Sequence, residues 1–221
     1  MLRQRRNAQT VVIIGLGDTG VLVASRLVKQ FKVIGITTKP NLVSGQELGK
    51  RLTDLPWWRM HYNTPLQRFL GLSAVEIIQA KAEWVNPEQR SVRVRLPDGL
   101  GRVIRYDYLV IASGTSNGFW RDDSIRSATE IDDALQADAA RIETANTIAV
   151  VGGGPCGVSC ALNIRRADPS KQVTLYFSGD QPLVGYHPTA QDYYDKLLKD
   201  AGVTLQNNDR AIVPSVTPAS G

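Results

Sequence analysis

A short apolar run followed by a glycine-rich turn, Thr10–Gly20 (TVVIIGLGDTG), decides the fold of this chain. Its β-branched residues predict a strand, and its glycines follow the pattern G-x-G-x-x-G. Apolar residues at helical spacing continue from about Thr19 to Gln30, and Phe31–Ile36 (FKVIGI) predicts a second strand. Strand, glycine turn, helix and strand in this order form the βαβ unit of a parallel sheet.

The three glycines of such a turn have separate physical roles. The first allows a tight turn after the strand, the second lets the backbone approach a pyrophosphate, and the third lets the helix pack closely on the strand. Free N–H groups at the positive end of the helix then face the phosphates. Gly15–Gly20 is therefore a candidate dinucleotide site.

The same pattern recurs later in the chain. Thr147–Val151 (TIAVV) predicts a strand, Gly152–Gly157 (GGGPCG) the turn, Pro155–Arg166 a helix and Gln172–Phe177 the next strand. This repetition predicts an α/β protein with two Rossmann-like dinucleotide-binding units, each built on a parallel sheet. A pair of glycine turns that are structural and bind no nucleotide is the alternative.

Between the two units the pattern changes. Val92–Leu96 alternates apolar and polar residues and is followed by the turn Pro97–Gly99, which predicts an antiparallel excursion in the first unit. Tyr108–Ala112 (YLVIA) predicts a buried strand. Upstream, Gln46–Leu52 predicts a short helix. We interpret the aromatic group Trp57–Tyr62 as core or surface packing, with a contact to a flavin or an electron acceptor as the alternative.

Composition and charge are those of an ordinary globular protein. The 221 residues are 43% hydrophobic and carry a net charge of +5, with a sequence pI near 9.3. Because the basic residues are scattered, we expect no nucleic-acid partner. No apolar run approaches ~20 residues, so we expect no transmembrane segment and a cytoplasmic protein. We expect no metal site, and the two cysteines, Cys156 and Cys160, fit a reducing compartment.

Three strings of sequence, in this order, resemble one known family. They are VVIIGLGDTG at Val11–Gly20, YDYLVIASGT at Tyr106–Thr115 and TIAVVGGGPCGVSCA at Thr147–Ala161. Over about Thr10–Arg210 the chain is similar to the two-dinucleotide-binding flavoproteins, the pyridine nucleotide-disulfide oxidoreductases in the broad sense. The middle string is similar to the family's ATG element, with Ser113 where threonine is usual.

The resemblance implies that the first turn holds the pyrophosphate of FAD and the second turn that of NADH or NADPH. The implied FAD contacts are Gly15, Gly17, Asp18, Thr19, Gly20, Thr38, Lys39, Ala82, Ala112, Ser113 and Gly114, with the backbone near Ala82 facing the adenine. The implied NAD(P)H contacts are Gly152, Gly154, Pro155, Cys156, Gly157 and Ser178. No catalytic side chain is assigned, because the cofactors carry the chemistry and the protein orients them.

Both units depart from the family pattern where their second strand ends. The first unit usually has an acid there that binds ribose, but this chain has Thr37, Thr38 and Lys39. The second unit ends at Tyr176–Ser178, with neither the acid of an NAD site nor the arginine of an NADP site. The choice between NADH and NADPH therefore stays open.

Cysteine spacing separates the branches of the family. Cys156 and Cys160 lie at i and i+4 of one predicted helix, where a disulfide is geometrically poor. The resemblance therefore points to the apoptosis-inducing-factor-like and type II NADH dehydrogenase-like branch. It implies an FAD-dependent NAD(P)H oxidoreductase that passes a hydride from NAD(P)H to flavin and electrons on to a quinone or another small acceptor.

The predicted domains are a flexible basic tail (1–9), an FAD-binding domain (10–118), an NAD(P)H-binding domain (119–210) and a disordered tail (211–221). Relative to the family, we expect the C-terminal part of the fold to be missing from this chain, which would weaken FAD binding. A non-catalytic nucleotide-binding or interaction protein stays open as an alternative, as does a flavin monooxygenase or ferredoxin-type reductase. Homo-oligomerisation and peripheral membrane contact also stay open.

Overall fold

The computed structural model describes residues 9–115 and 123–212, so residues 1–8 and 213–221 of the predicted tails lie outside the described residues. In the described part the strands are β1 (Thr10–Ile14), β2 (Lys32–Thr37), β3 (Asn41–Val43), β4 (Asn63–Pro65), β5 (Glu76–Gln79), β6 (Lys81–Asn86), β7 (Ser91–Arg95), β8 (Gly101–Arg105), β9 (Tyr108–Ile111), β10 (Thr147–Val151), β11 (Gln172–Tyr176) and β12 (Thr204–Gln206). The helices are α1 (Asp18–Leu27), α2 (Leu48–Thr53), α3 (Leu55–Tyr62), α4 (Ala128–Thr144), α5 (Pro155–Ala167) and α6 (Pro188–Asp200).

The chain divides into two compact units. The first comprises the residues up to 46 together with 59–134, and the second comprises 47–58 and the residues from 135 onward. The continuous segments 10–118 and 119–210 expected from the sequence do not follow this division. One physical reason is the packing of α2 on α5 in the second unit, where a Cβ on Gly49 would lie 2.6 Å from the carbonyl oxygen of Ser159.

The first unit is built around a parallel sheet of strand order β5-β2-β1-β9. Its central strand β1 is buried on both faces, which explains its uninterrupted apolar run. Val11 and Ile13 pack with α1 residues such as Ala24, whereas Val12 packs on the opposite face. Helix α1 ends at Leu27 rather than near Gln30 as the sequence predicted.

The antiparallel excursion predicted from the sequence is confirmed. Strands β6, β7 and β8 pair in that order into an antiparallel sheet. Its inward side chains Val92, Val94 and Ile104 are buried in one cluster with Ile34 and Ile36 of β2. The alternation of apolar and polar residues in β7 therefore reflects a strand with one buried face and one solvent-exposed face.

The prediction that Tyr108–Ala112 forms a buried strand is wrong about its burial. Residues Tyr108–Ile111 do pair in parallel with β1, but β9 lies at the edge of the described sheet. The side chains of Tyr108 and Ile111 are 50% and 66% exposed. An apolar run indicates a strand, but the neighbours that would cover it are set by the tertiary structure.

The aromatic group Trp57–Tyr62 lies in helix α3, which the sequence did not predict. Pro56 lies in the first turn of α3, where proline is tolerated. Trp58 is fully buried, which confirms the interpretation as core packing for this residue. The predicted helix Gln46–Leu52 forms as α2, from Leu48 to Thr53.

The second unit carries a parallel sheet of strand order β10-β11-β12. One apolar cluster joins the strands to α5 and α6, with Leu175, Ala161 and Leu198 wholly buried at its centre. Both predicted βαβ units are therefore confirmed, and each leads from a strand through a glycine turn into a helix.

Replacing Trp58 by alanine should lower the free energy of unfolding by about 3–5 kcal/mol, because a fully buried indole leaves a large cavity. Trp57→Ala is the matched control: this ring is 36% exposed and contacts the ammonium group of Lys50, so we expect a loss under about 1 kcal/mol. Urea unfolding followed by far-UV circular dichroism measures both values. Equal losses in the two variants would contradict the burial of Trp58.

Candidate dinucleotide-binding sites

The first glycine turn is shaped by two close backbone approaches. Gly15 follows β1 with a φ of +96°, and its N–H donates to the Ile36 carbonyl at 2.8 Å. A Cβ on Gly15 would lie 2.7 Å from the Ala112 carbonyl carbon, and one on Gly20 would lie 2.9 Å from the Gly15 carbonyl carbon. These two glycines therefore serve packing, and Gly20 is buried behind the turn.

Gly17 has a different environment. It is the N-cap residue of α1, and no side chain caps that helix. A Cβ on Gly17 would meet no atom within 4 Å, so this position opens outward. Helix α6 provides a contrast, because the ring of His187 accepts a hydrogen bond from the Thr189 N–H at 3.3 Å. Among the described residues no side chain takes this role at the first turn of α1, so its N–H groups can donate to a phosphate oxygen.

A cleft of about 510 Å³ opens beside this turn. It is lined by every FAD contact implied by the sequence resemblance except Gly20, namely Gly15, Gly17, Asp18, Thr19, Thr38, Lys39, Ala82, Ala112, Ser113 and Gly114. Further lining residues that the sequence did not suggest are Asn41, Val43, Lys81 and Asp123. No local motif marks these positions, since separate segments of the chain bring them to the cleft.

The end of strand β2 is held rigidly at one side of the cleft. The Thr37 hydroxyl donates to the Lys39 carbonyl at 3.1 Å and accepts from the Lys39 N–H at 3.3 Å. The Thr38 carbonyl accepts from the side-chain amide of Gln79 at 3.2 Å and from the Arg126 N–H at 3.1 Å. Thr37 is thus occupied by this local turn, and the Lys39 ammonium donates to the Thr38 hydroxyl at 3.5 Å at the same strand end.

Charged side chains of both signs line the first cleft, with Lys39 and Lys81 matched by Asp18 and Asp123. Lys39 and Lys81 both line it, and the Lys81 ammonium forms an ion pair with Asp123 at 2.6 Å. Asp18 also lines it, and its carboxylate accepts a hydrogen bond from the Ser44 hydroxyl at 3.2 Å. The positive end of α1 adds its partial charge to that of the lysines.

The second glycine turn repeats the backbone of the first. Gly152 has a φ of +113°, and its N–H donates to the Tyr176 carbonyl at 2.8 Å. A Cβ on Gly157 would lie 3.0 Å from the Gly152 carbonyl carbon, so α5 packs closely on the turn. Gly154 is the N-cap of α5 without a side-chain cap, and Pro155 follows in the first turn. Cys156, within this turn, and Ser178, the second residue after β11, are both exposed.

The two turns differ in what lies behind them. A Cβ on Gly15 would collide with the residue that follows β9, whereas one on Gly152 would meet no atom within 4 Å. In residues 123–212, β10 pairs with β11 only. The cleft of the first unit thus has a second wall that is not found in the described part of the second unit.

The cysteines do not form a reactive pair. Cys156 is exposed at the start of α5 and Cys160 is partly buried one turn later. Burial raises the pKa of the Cys160 thiol to about 11, with the neighbouring thiol adding a smaller upward effect. Cys160 is therefore a neutral thiol at physiological pH and a poor nucleophile.

Comparison with protein families settles the relationship. The family model of the pyridine nucleotide-disulphide oxidoreductases matches residues 5–213. The chain belongs to this family. This member is 30% identical over 161 residues to the sulfide-quinone reductase of Aquifex aeolicus, which is 69% of this chain and 36% of that protein. It is 27% identical over 115 residues to human ferroptosis suppressor protein 1, which is 50% of this chain and 30% of that protein.

Solved structures show the same fold. NDH2 from Plasmodium falciparum in complex with NADH superimposes with a TM-score of 0.73 at 17% identity, covering 91% of this chain and 48% of that one. The water-forming NADH oxidase from Lactobacillus brevis bound to NADH gives a TM-score of 0.68 at 19% identity, covering 91% and 47%. This family member spans about half the length of these structures and about a third of the sequence relatives. The family resemblance and fold class predicted from the sequence are confirmed.

None of the helices in residues 9–115 and 123–212 is both long and apolar enough to cross a bilayer. The same residues contain no group of three or more His, Cys, Asp or Glu side chains placed to hold a metal ion.

The substitutions Gly17→Ala and Gly20→Ala should distinguish the glycine that admits a ligand from the glycine that lets the helix pack on the turn. Gly20→Ala places a methyl group on the Gly15 carbonyl, so we expect a loss of more than about 3 kcal/mol in unfolding free energy. Gly17→Ala meets no protein atom, so its stability should change by less than about 1 kcal/mol while FAD affinity falls at least about tenfold. Chemical denaturation and calorimetric titration measure the two effects. Unchanged FAD affinity in Gly17→Ala would contradict the site.

Thiol labelling should distinguish the two cysteines. At pH 7, iodoacetamide should modify exposed Cys156 first and Cys160 slowly, because a raised pKa leaves little Cys160 thiolate. The Cys160 rate should then rise by about tenfold for each pH unit up to pH 9, since its pKa lies above that range. Peptide mass spectrometry assigns each site, with Cys156→Ser and Cys160→Ser as controls. Fast labelling of Cys160 in the folded protein would refute its burial.

Proposed function

We propose that this family member is an FAD-dependent NAD(P)H oxidoreductase, with FAD bound in the cleft of the first unit and NADH or NADPH bound at the glycine turn of the second unit. The observation that carries the proposal is the pair of helices α1 and α5, each of which begins at a glycine N-cap without a side-chain cap. Such helix ends bind the diphosphate of a dinucleotide.

The first cleft suits the adenosine diphosphate half of FAD. The open space beside Gly17 is the space that a Cβ would fill, and it admits a phosphate close to the backbone. Thr38 and Lys39 at the end of β2 can hydrogen-bond the ribose, with a hydroxyl and an ammonium group in place of the usual carboxylate. The backbone around Ala82 offers a wall for the adenine.

The second turn suits NADH or NADPH by the same argument. Gly154 also has open space at its Cβ position, and Gly157 holds α5 close to the turn. The proposed contacts are Gly152, Gly154, Pro155, Cys156, Gly157 and Ser178. We assign residues 10–118 to FAD binding and 119–210 to NAD(P)H binding, with segment 47–58 packing in the second unit.

The bound cofactors would supply the redox chemistry, in which NAD(P)H delivers a hydride to the flavin. The residues of this chain bind and orient the two diphosphates, and no side chain is needed as acid or base. The acceptor we propose is a quinone or another small molecule. The name of the sulfide-quinone reductase relative supports that choice, and the high pKa of Cys160 argues against a dithiol relay in this chain.

The test is an anaerobic titration of the full chain. Saturation with FAD should give a protein-bound flavin, and NADH or NADPH should then bleach its visible absorbance band. Gly17→Ala should lose FAD binding, whereas Gly154→Ala should keep FAD but lose reduction, since each alanine fills one diphosphate space. Nucleotide binding without flavin reduction would favour a non-catalytic nucleotide-binding protein instead. If neither FAD nor NAD(P)H bound to the chain, the proposal would be overturned.

A further inference from the structure

We infer that the second site does not distinguish NADH from NADPH, because the position that reads the 2′ substituent of the adenosine ribose carries no charged group. The inference rests on the proposed NAD(P)H site at Gly152–Gly157. In Rossmann units an acid at the end of the second strand binds a 2′-hydroxyl, and an arginine binds a 2′-phosphate. In this unit that strand is β11, and residues 172–179 are all uncharged.

Phe177 fills the first position after β11. Its side chain is 4% exposed and packs under the glycine turn, where a Cβ on Gly153 would lie 2.7 Å from the Phe177 Cβ. Its backbone is tied on both sides, because its N–H donates to the Gln206 carbonyl at 3.0 Å and its carbonyl accepts from the Asp209 N–H at 3.0 Å. This position therefore contributes packing and offers no polar group to a ribose.

The loop after β11 folds back over the same turn. The Leu183 N–H donates to the Gly153 carbonyl at 2.7 Å, and the Leu183 side chain is buried. A Cβ on Gly179 would lie 2.5 Å from the Val184 Cγ2 atom, so Val184 covers that residue. Buried apolar side chains thus pack beneath this loop, Asn208 and Asp209 donate backbone hydrogen bonds to it, and exposed Ser178 supplies a side-chain hydroxyl.

The nearest acid in the sequence is engaged elsewhere. Asp180 accepts a hydrogen bond on its carboxylate from the Asn208 side chain at 2.9 Å, and its carbonyl accepts from the Asn207 side chain at 3.4 Å. These contacts hold Asp180 against the segment that follows β12. Its carboxylate is therefore oriented by the Asn208 side chain.

A site discriminates between two ligands, here the coenzymes with and without a 2′-phosphate, only when it interacts differently with each of them. A hydroxyl such as that of Ser178 can donate to a phosphate oxygen and can equally bond a ribose hydroxyl. It neither repels the 2′-phosphate, as a carboxylate would, nor pairs with it, as a guanidinium would. Both coenzymes should therefore bind with similar affinity.

The experiment compares ADP-ribose with 2′-phospho-ADP-ribose by calorimetry on the full chain. These two ligands differ in the 2′ substituent of the adenosine ribose and carry no nicotinamide, so their binding is measured apart from redox activity. The dissociation constants should agree within about threefold at ~0.15 M ionic strength. FAD is kept saturating so that only the second site is titrated.

Opposite charges at position 178 should then create the discrimination that is missing. Ser178→Arg should tighten binding of the 2′-phosphorylated ligand by about tenfold or more, and Ser178→Glu should weaken it by a similar factor. Thr144→Arg is the matched control, because it adds the same charge at an exposed residue near the amino end of these parallel strands, whereas Ser178 follows the carboxyl end of β11. It should leave the ratio of the two affinities unchanged.

The outcomes separate this inference from the proposed function. A preference of more than about tenfold for either ligand in the unaltered protein would overturn the inference while leaving the NAD(P)H site intact. Unchanged ratios in both Ser178 variants would also overturn it, because the reader position would then lie elsewhere. If neither ligand bound at all while FAD did, the proposed NAD(P)H site itself would fall.

Discussion

Both sites depend on the close approach of a helix to the turn beneath it. In each unit the third glycine packs against the carbonyl of the first, as Gly20 does on Gly15 and Gly157 on Gly152. A side chain at the third position would push the helix away and move its N-terminal amides with it. The glycine spacing therefore fixes where the positive end of each helix lies, and so where a diphosphate can bind.

The units share this turn but differ in its surroundings. Parallel sheets bind ligands where neighbouring strands diverge at the switch point, so a first strand with neighbours on both sides builds a two-walled cleft. β1 has such neighbours in β2 and β9, and Ala112 after β9 forms the second wall. β10 has only β11 beside it in the part of the chain that the structure describes. In the described residues the first unit therefore has a two-walled cleft, whereas the first strand of the second unit has a neighbour on one side.

Neither the end of β2 nor the end of β11 carries the acid that usually binds a ribose, and the two ends differ in the residues that stand there instead. In the first unit a hydroxyl and an ammonium group, from Thr38 and Lys39, still line the cleft. In the second unit Phe177 is buried beneath the turn, and the next residue, Ser178, is exposed. The first strand end thus presents a hydroxyl and an ammonium group, and the second presents a single hydroxyl.

The features predicted correctly from the sequence depend on short-range chemistry. Strands Thr10–Ile14 and Thr147–Val151 and both glycine turns form where it predicted, because β-branched runs and glycine spacing act through neighbouring residues. Tertiary packing sets the exposure of β9, the burial of Trp58 and the positions of Lys81 and Asp123 beside the first cleft. Those features depend on which distant surfaces meet, and burial is a property of the partner surface as much as of the residue.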